Sequence, residues 1–358
     1  MAGGSGPPGP DPSERPKSAG RQAIYTCEYT FLTMRHHGGL RSVLAEDPTG
    51  QPPEVAVMTS TATSPTMTAI RVATGAGDVL GLAPCRGGRM ALADAGMGRA
   101  VSYPELARTV RAAAAGLARR GVRPGDVVAL LLADAVSFSI ASLVVWAVGA
   151  VPFPVSAGAA AGDAAAQLSA ADARVLLTSV PLAPEATALA DRSRVRQVIC
   201  FGPPPGRIAG AADDGTPPGT TPFASLLEYG TMPPLARDGG DPALLCYPSG
   251  PQESRRPAWI THRALAADLH MLAAGERITG WDVVIAAPPC GSGRRYTALL
   301  HLALSQGATV IAAGSAGTGD LLAAARQHLA TAVIAPTSAG LPDELSVRVL
   351  TVAPEDRP

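Results

Sequence analysis

The residues best equipped for chemistry lie between Asp241 and His262, in the run DPALLCYPSGPQESRRPAWITH. The apolar stretch Ala243-Leu244-Leu245-Cys246-Tyr247 reads as a buried strand that delivers the chain into a polar turn. Ser249-Gly250 opens the turn, and Trp259-Ile260-Thr261 leaves it ahead of the helix-like Arg263-Ala264-Leu265-Ala266-Ala267. A loop built this way can wrap phosphate oxygens with backbone N–H groups and short hydroxyls while one cation counters the charge. The other reactive side chains are dispersed. Cys27, Cys85, Cys200, Cys246 and Cys290 include no CxxC pair and no grouping with histidine that suits a metal, so no metal site is expected. His36-His37 is the one adjacent histidine pair, and it lies in a stretch without folding signals.

Composition narrows the classes. At 358 residues the chain can bury a substantial core in one large domain or two. Its formal net charge is zero, which removes the electrostatic case for nucleic acid or an anionic membrane surface. No run approaches the ~18–20 apolar residues of a membrane-spanning helix, and the polar, Pro/Gly-rich start is unlike a signal peptide. Scattered cysteines fit a reducing, cytoplasmic setting. Lys17 is the only lysine among 29 basic residues, so any cationic chemistry beyond it falls to arginine.

The elements that must position the loop are legible by period. Residues 1–66 carry GGSGPPGPDP and TSTATSPT and are expected to be a disordered or poorly ordered extension. Order is expected from about Arg89, with a strand at 89–94 and a hairpin into Val101-Ser102-Tyr103. Ser102, Pro104 and Glu105 announce a helix to Arg120, whose apolar stripe is Leu106, Val110, Ala113, Ala114 and Leu117. Val127 to Leu132 is continuously apolar, as a parallel strand covered on both faces should be. A helix over 135–148, a strand over 151–155, a helix over 160–171, a strand over 174–178, a helix over 184–191 and a strand over 195–201 follow. This alternation predicts an α/β fold of two layered subdomains with mainly parallel sheets. The first subdomain spans 67–202, and a Pro/Gly-rich linker with a short helix at Phe223–Tyr229 covers 203–240. The second, 241–358, repeats the pattern with strands at 243–247, 283–287, 308–312, 332–335 and 347–352 and helices at 263–275, 296–306 and 319–329.

Here the residues acquire a resemblance. The loop is similar to the phosphate-binding signature of the adenylate-forming ligases, Ser-Ser-Gly-Thr-Thr-Gly-x-Pro-Lys-Gly followed by Thr-His, and most like the 4-coumarate-CoA and acyl-CoA ligase branch. Aligned back from Thr261-His262, Ser249 and Gly250 are kept. Pro251-Gln252 stand at the two Thr, Glu253 at a Gly, Arg256 at the Lys and Pro257 at the last Gly. A longer run, VSYPEL, LARRGVRPGDVVALLLADAVSF, GAVPFPVS and ARVLLT, resembles the same family in order over the first subdomain. The resemblance implies the N-terminal domain fold of these ligases. It also implies ATP/AMP with Mg²⁺ at Ser249, Gly250, Gln252, Ser254 and Arg256, a carboxylic-acid substrate, and CoA. Ser292 occupies the position of a family His in Pro-Phe-Phe-His; it lacks imidazole chemistry and a GxSxG elbow, so the catalytic residues stay unassigned.

The departures from the pattern predict impaired ATP handling. Pro251 removes a backbone N–H, Gln252 replaces a hydroxyl, and Glu253 sets a negative charge beside a polyphosphate site, with Arg255 available to compensate it. Arg256 keeps the cation in a planar fork rather than as an ammonium. Family members usually begin near Met58 or Met67, so the upstream part is expected to be an extension or a mis-assigned start. The family continues past TVAPEDRP into its adenine- and ribose-binding segments and a C-terminal domain with a catalytic lysine, so truncation is expected. Two readings remain open. One is an acid-activating, thioester-forming ligase with reduced activity. The other is a non-catalytic paralogue that docks to a partner such as a full-length ligase, or a pseudogene product.

Overall fold

Val127–Leu131 is apolar without alternation because the strand it forms (β3) is covered on both faces. Val128 and Leu130 point into one buried cluster, and Val127, Ala129 and Leu131 into another. The computed structural model describes residues 75–81, 83–96, 98, 100–202, 216–247, 257–289, 293–314, 316–341 and 347–352. The expected extension over 1–66 lies outside the described residues.

Two helices, α1 (Gly75–Gly81) and α2 (Ala83–Arg86), precede β1 (Met90–Asp94) and β2 (Ala100–Ser102). They start ahead of the expected onset of order, and Ala76, Val79 and Leu80 are buried. Their seven- and four-residue lengths are too short to display a helical period. Then come α3 (Tyr103–Arg119), β3, α4 (Ala135–Ala147), β4 (Val151–Pro154), α5 (Ala161–Ala170), β5 (Val175–Ser179), α6 (Ala183–Asp191) and β6 (Gln197–Phe201). β7 (Thr221–Pro222) leads into a 3₁₀ turn at Phe223–Tyr229. The second half holds β8 (Pro242–Cys246), β9 (Ala258–Thr261), α7 (His262–Glu276), β10 (Val283–Ala286), α8 (Arg294–Gln306), β11 (Thr309–Ala312), α9 (Thr318–Gln327), β12 (Ala332–Pro336) and β13 (Arg348–Val352).

One sheet, ordered β4-β3-β5-β6-β7, is wholly parallel. The other runs β13-β12-β10-β11-β1-β2, parallel except for the β1–β2 hairpin. The α/β architecture with mainly parallel sheets is therefore as the alternation predicts. The sheets nevertheless cross the expected subdomain boundary. Leu92 of β1 registers with Val310 of β11, so a strand from the first half completes the sheet of the second. The expected linker also contributes: β7 extends the first sheet, and Phe223 and Leu226 are buried. Strand period reports which face is apolar and is silent about the partner.

Helices α3, α4 and α8 share one apolar cluster with the inner faces of both sheets. α5 and α6 cover the outer face of the first sheet, and α9 covers that of the second. All thirteen residues of α4 are buried, which fits a helix that carries no charged residue on any side. The start of α3 is held by a reciprocal capping box. Ser102 N–H donates to Glu105 Oε2 (2.9 Å) and Glu105 N–H to Ser102 Oγ (3.4 Å). The buried Tyr103 hydroxyl then donates to Ala308 O (2.7 Å), pinning α3 to the corner between α8 and β11.

Candidate functional site

The stretch 243–247 was expected to be a strand like those before it; its pairing differs. Among the described residues β8 pairs only with β9, antiparallel, from Pro242↔Thr261 to Cys246↔Ala258. The phosphate-type loop therefore connects the two arms of a hairpin. Ser249, Gly250, Gln252, Ser254 and Arg256 lie outside the described residues, as does Ser292. The frame that positions them is described.

Several contacts fix the base of the hairpin. Trp146 Nε1 of α4 donates to Ala243 O of β8 (2.7 Å). Tyr247, the last described residue before the loop, packs on Phe153 of β4 with ring centroids 5.3 Å apart. Burial raises its phenol above the usual tyrosine range, and its hydroxyl has no partner among the described residues. On the exit side, Thr261 caps α7: Ala264 N–H donates to Thr261 Oγ1 (3.2 Å). His262 opens that helix, buried, with its N–H on Asp241 O (3.0 Å). Burial lowers its imidazole pKa, Arg237 lowers it further, and Asp241 opposes. The Thr-His pair thus serves the frame, capping a helix and filling the core.

A second loop, following β10, meets the same region. Gly293 sits at φ +82°, and a Cβ there would fall 2.6 Å from Pro154 Cβ at the end of β4. Tyr296 Oη donates to Ala287 O (2.6 Å), tying the start of α8 to the end of β10, and its ring meets Phe138 edge-on at 5.4 Å. β4 is the link between the loops, with Phe153 against Tyr247 and Pro154 against Gly293. The carboxyl ends of parallel strands β4 and β10 thus converge beside Tyr247, and carboxyl strand ends are where open α/β sheets bind ligands.

The nearby cations are mostly committed. Arg294 forms a two-pronged bridge to Asp268 of α7, with Nε and Nη2 each 3.0 Å from a carboxylate oxygen. Arg295 joins Glu276 and Thr351 O, and Arg237 pairs with Asp241. Sequence reading passed over Arg294, Phe153 and Gly293 because their roles arise from contacts between distant segments. Among the described residues no group of three or more His, Cys, Asp or Glu could hold a metal, and no helix is long and apolar enough to cross a membrane.

The family model for AMP-binding enzymes matches residues 83–340, a span that includes both loops. The chain belongs to the AMP-binding enzyme family. As a member it is 31% identical over 260 residues to 4-coumarate–CoA ligase-like 3 of Oryza sativa subsp. japonica, an alignment covering 68% of this chain and 43% of the relative. In fold, the chain is similar to a long-chain-fatty-acid-CoA ligase (FadD1) from Archaeoglobus fulgidus. That match has a TM-score of 0.64 at 18% identity and covers 75% of this chain and 52% of the other. The anthranilate CoA ligase AuaEII, solved in complex with anthranoyl-AMP, gives a TM-score of 0.63 at 15% identity, covering 74% and 50%. The chain spans about half the length of the relatives it matches. The expected membership and the expected N-terminal-domain fold of the ligases are both borne out.

Proposed function

We propose that this chain is an acyl- or aryl-CoA ligase-like protein that holds ATP·Mg²⁺ at the 248–256 loop with weakened grip. The chemistry belonging to such a site is activation of a carboxylic acid as acyl-AMP, followed by thioester formation with CoA. The observation that supports the reading is that β4 touches the described flanks of both loops, Phe153 against Tyr247 and Pro154 against Gly293, within the span of the family match. Ser249 and Ser254 would supply hydroxyls, Gly250 and Gln252 backbone N–H groups, and Arg256 the positive charge. The donor set fits a phosphate group incompletely, since Pro251 has no N–H to offer and Glu253 repels the anion. An aromatic acid is the first substrate to try, because relatives are named as 4-coumarate and anthranilate ligases.

The test is calorimetric titration of the purified chain with ATP·Mg²⁺, with and without a mixture of aryl and fatty acids, followed by ATP/pyrophosphate exchange. Saturable binding that drops about tenfold or more in Arg256→Ala is the expected result. Absence of binding by a demonstrably folded chain would reject the ligase reading. It would favour the non-catalytic alternative, a scaffold that acts by docking to another protein, and the Pro251-Gln252-Glu253 substitutions motivate keeping that alternative.

A further inference from the structure

Helices α4 and α8 meet inside the protein across an unusual group of polar side chains. Ser139 and Ser142 lie three residues apart on α4, and Thr297 and His301 four apart on α8, so each pair shares one helix face. All four residues are at least 96% buried. Among the described residues, both ring nitrogens of His301 and the three hydroxyl oxygens have no hydrogen-bond partner. These hydroxyls are not turned back onto the carbonyls of their own helices, which is their ordinary refuge. They surround a cavity of about 10 Å³ whose remaining wall is apolar: Phe138, Trp146, Leu300 and Leu304. The Trp146 and His301 rings stand edge to face at 5.2 Å, which fixes the imidazole plane.

We propose that this cavity is a binding site for one ordered water molecule that bridges α4 to α8. A neutral imidazole presents one N–H donor and one bare nitrogen, and each hydroxyl can donate or accept. One water can therefore accept from a hydroxyl or the ring N–H and donate to the bare nitrogen or to another hydroxyl. The volume matches the roughly 10–15 Å³ that a single water needs, and a polar lining of this kind is what keeps such a cavity wet. Larger ligands are excluded by size. A cation is disfavoured by charge, because every lining group is neutral or apolar and no carboxylate lines the cavity to compensate it. Burial independently keeps His301 neutral, its pKa pushed down to about 4, and repulsion from His262, when that ring is protonated, lowers it further. The water sets the rotation of α8 against α4, and α8 begins at the loop beside the candidate site. The inference is independent of nucleotide binding.

A crystal structure of the chain at a resolution that shows solvent tests this directly, alongside the same structure of Thr297→Val. The expected result is one solvent peak within hydrogen-bond reach of a His301 ring nitrogen and of at least two of the three hydroxyls, with that peak weakened or lost in the variant. An empty cavity, direct pairing of the side chains across it, or an anomalous peak after soaking in thallium(I) overturns the proposal. In solution, water-to-protein magnetisation transfer onto the His301 ring protons in histidine-labelled protein should show a long-lived contact, and its absence counts equally against the water.

Discussion

At the residue scale the tightest constraint falls on a glycine. Gly116 lies inside α3 where the Phe223–Tyr229 turn crosses it, and a Cβ added there would sit 2.3 Å from Leu226 O and 2.6 Å from Leu226 Cα. Both obstacles are backbone, so neither can swing away. Gly116→Ala should therefore destabilise the protein by about 2–3 kcal/mol, read as a lower urea midpoint with an unchanged slope. Thr261→Val removes an N-cap oxygen beside the candidate loop and should cost about 1 kcal/mol by the same measurement. The Thr-His signature was readable as a motif, but its structural duty was not, since a cap is recognised by geometry and a buried His by its neighbours. Gly116 escaped notice for a simpler reason: a missing side chain leaves no mark on a hydropathy pattern.

At the element scale, local chemistry was legible and pairing was not. Ser102, Pro104 and Glu105 announced the start of α3 because a capping box is written within four consecutive residues. Hydrogen bonds from the Ser102 backbone and side chain, with Arg108 nearby, hold the Glu105 carboxyl below the usual carboxylate range. Ser102→Ala and Glu105→Ala should each lose stability, and the double variant should lose less than their sum, because each removes the other's partner. Exact additivity in a double-mutant cycle would deny the box. β8 looked like its neighbours in sequence, yet it pairs antiparallel with β9 across the residues of the phosphate-type loop. Ser249-Gly250-Pro251 signals a turn but not which strands it joins, so the site's frame becomes visible only once Trp146 and Phe153 are seen against it.

At the scale of the whole molecule, buried titratable groups oppose one another. His301 is neutral in the fold, with its pKa down to about 4 from an ordinary 6.5, so its contribution is lost as pH falls from about 6.5 toward 4. Asp78 of α1 runs the other way. Burial raises its pKa to about 6 from 3.8, so its charge is a burden above pH 6 that is relieved on acidification. The two slopes overlap between pH 6 and 4 and partly offset. Asp78→Asn should therefore gain about 1 kcal/mol at pH 7, allowing for the carboxyl's partial exposure, and should steepen the loss of stability between pH 6.5 and 4 toward about 3 kcal/mol. Urea unfolding across that range reads both effects; an Asp78→Asn curve parallel to wild type would contradict them. The layered α/β class followed from the alternation of helix and strand periods. The exchange of strands between the two halves did not, because sheet partnership depends on residues far apart in the chain.

That exchange has a consequence during synthesis. β1 leaves the ribosome early, but its hydrogen-bonded neighbour is β11, and Thr309 Oγ1 donates to Met90 O across 219 positions of sequence. At ~5–20 residues per second the growing chain carries an unmatched strand for ~10–40 s while the sheet of β3 to β7 can already close behind it. The apolar Ala91-Leu92-Ala93 edge is exposed over that interval with only the short β2 beside it. Nascent chains halted before Thr309 should be clipped near residues 89–102, while chains that have emerged beyond Ala312 should resist.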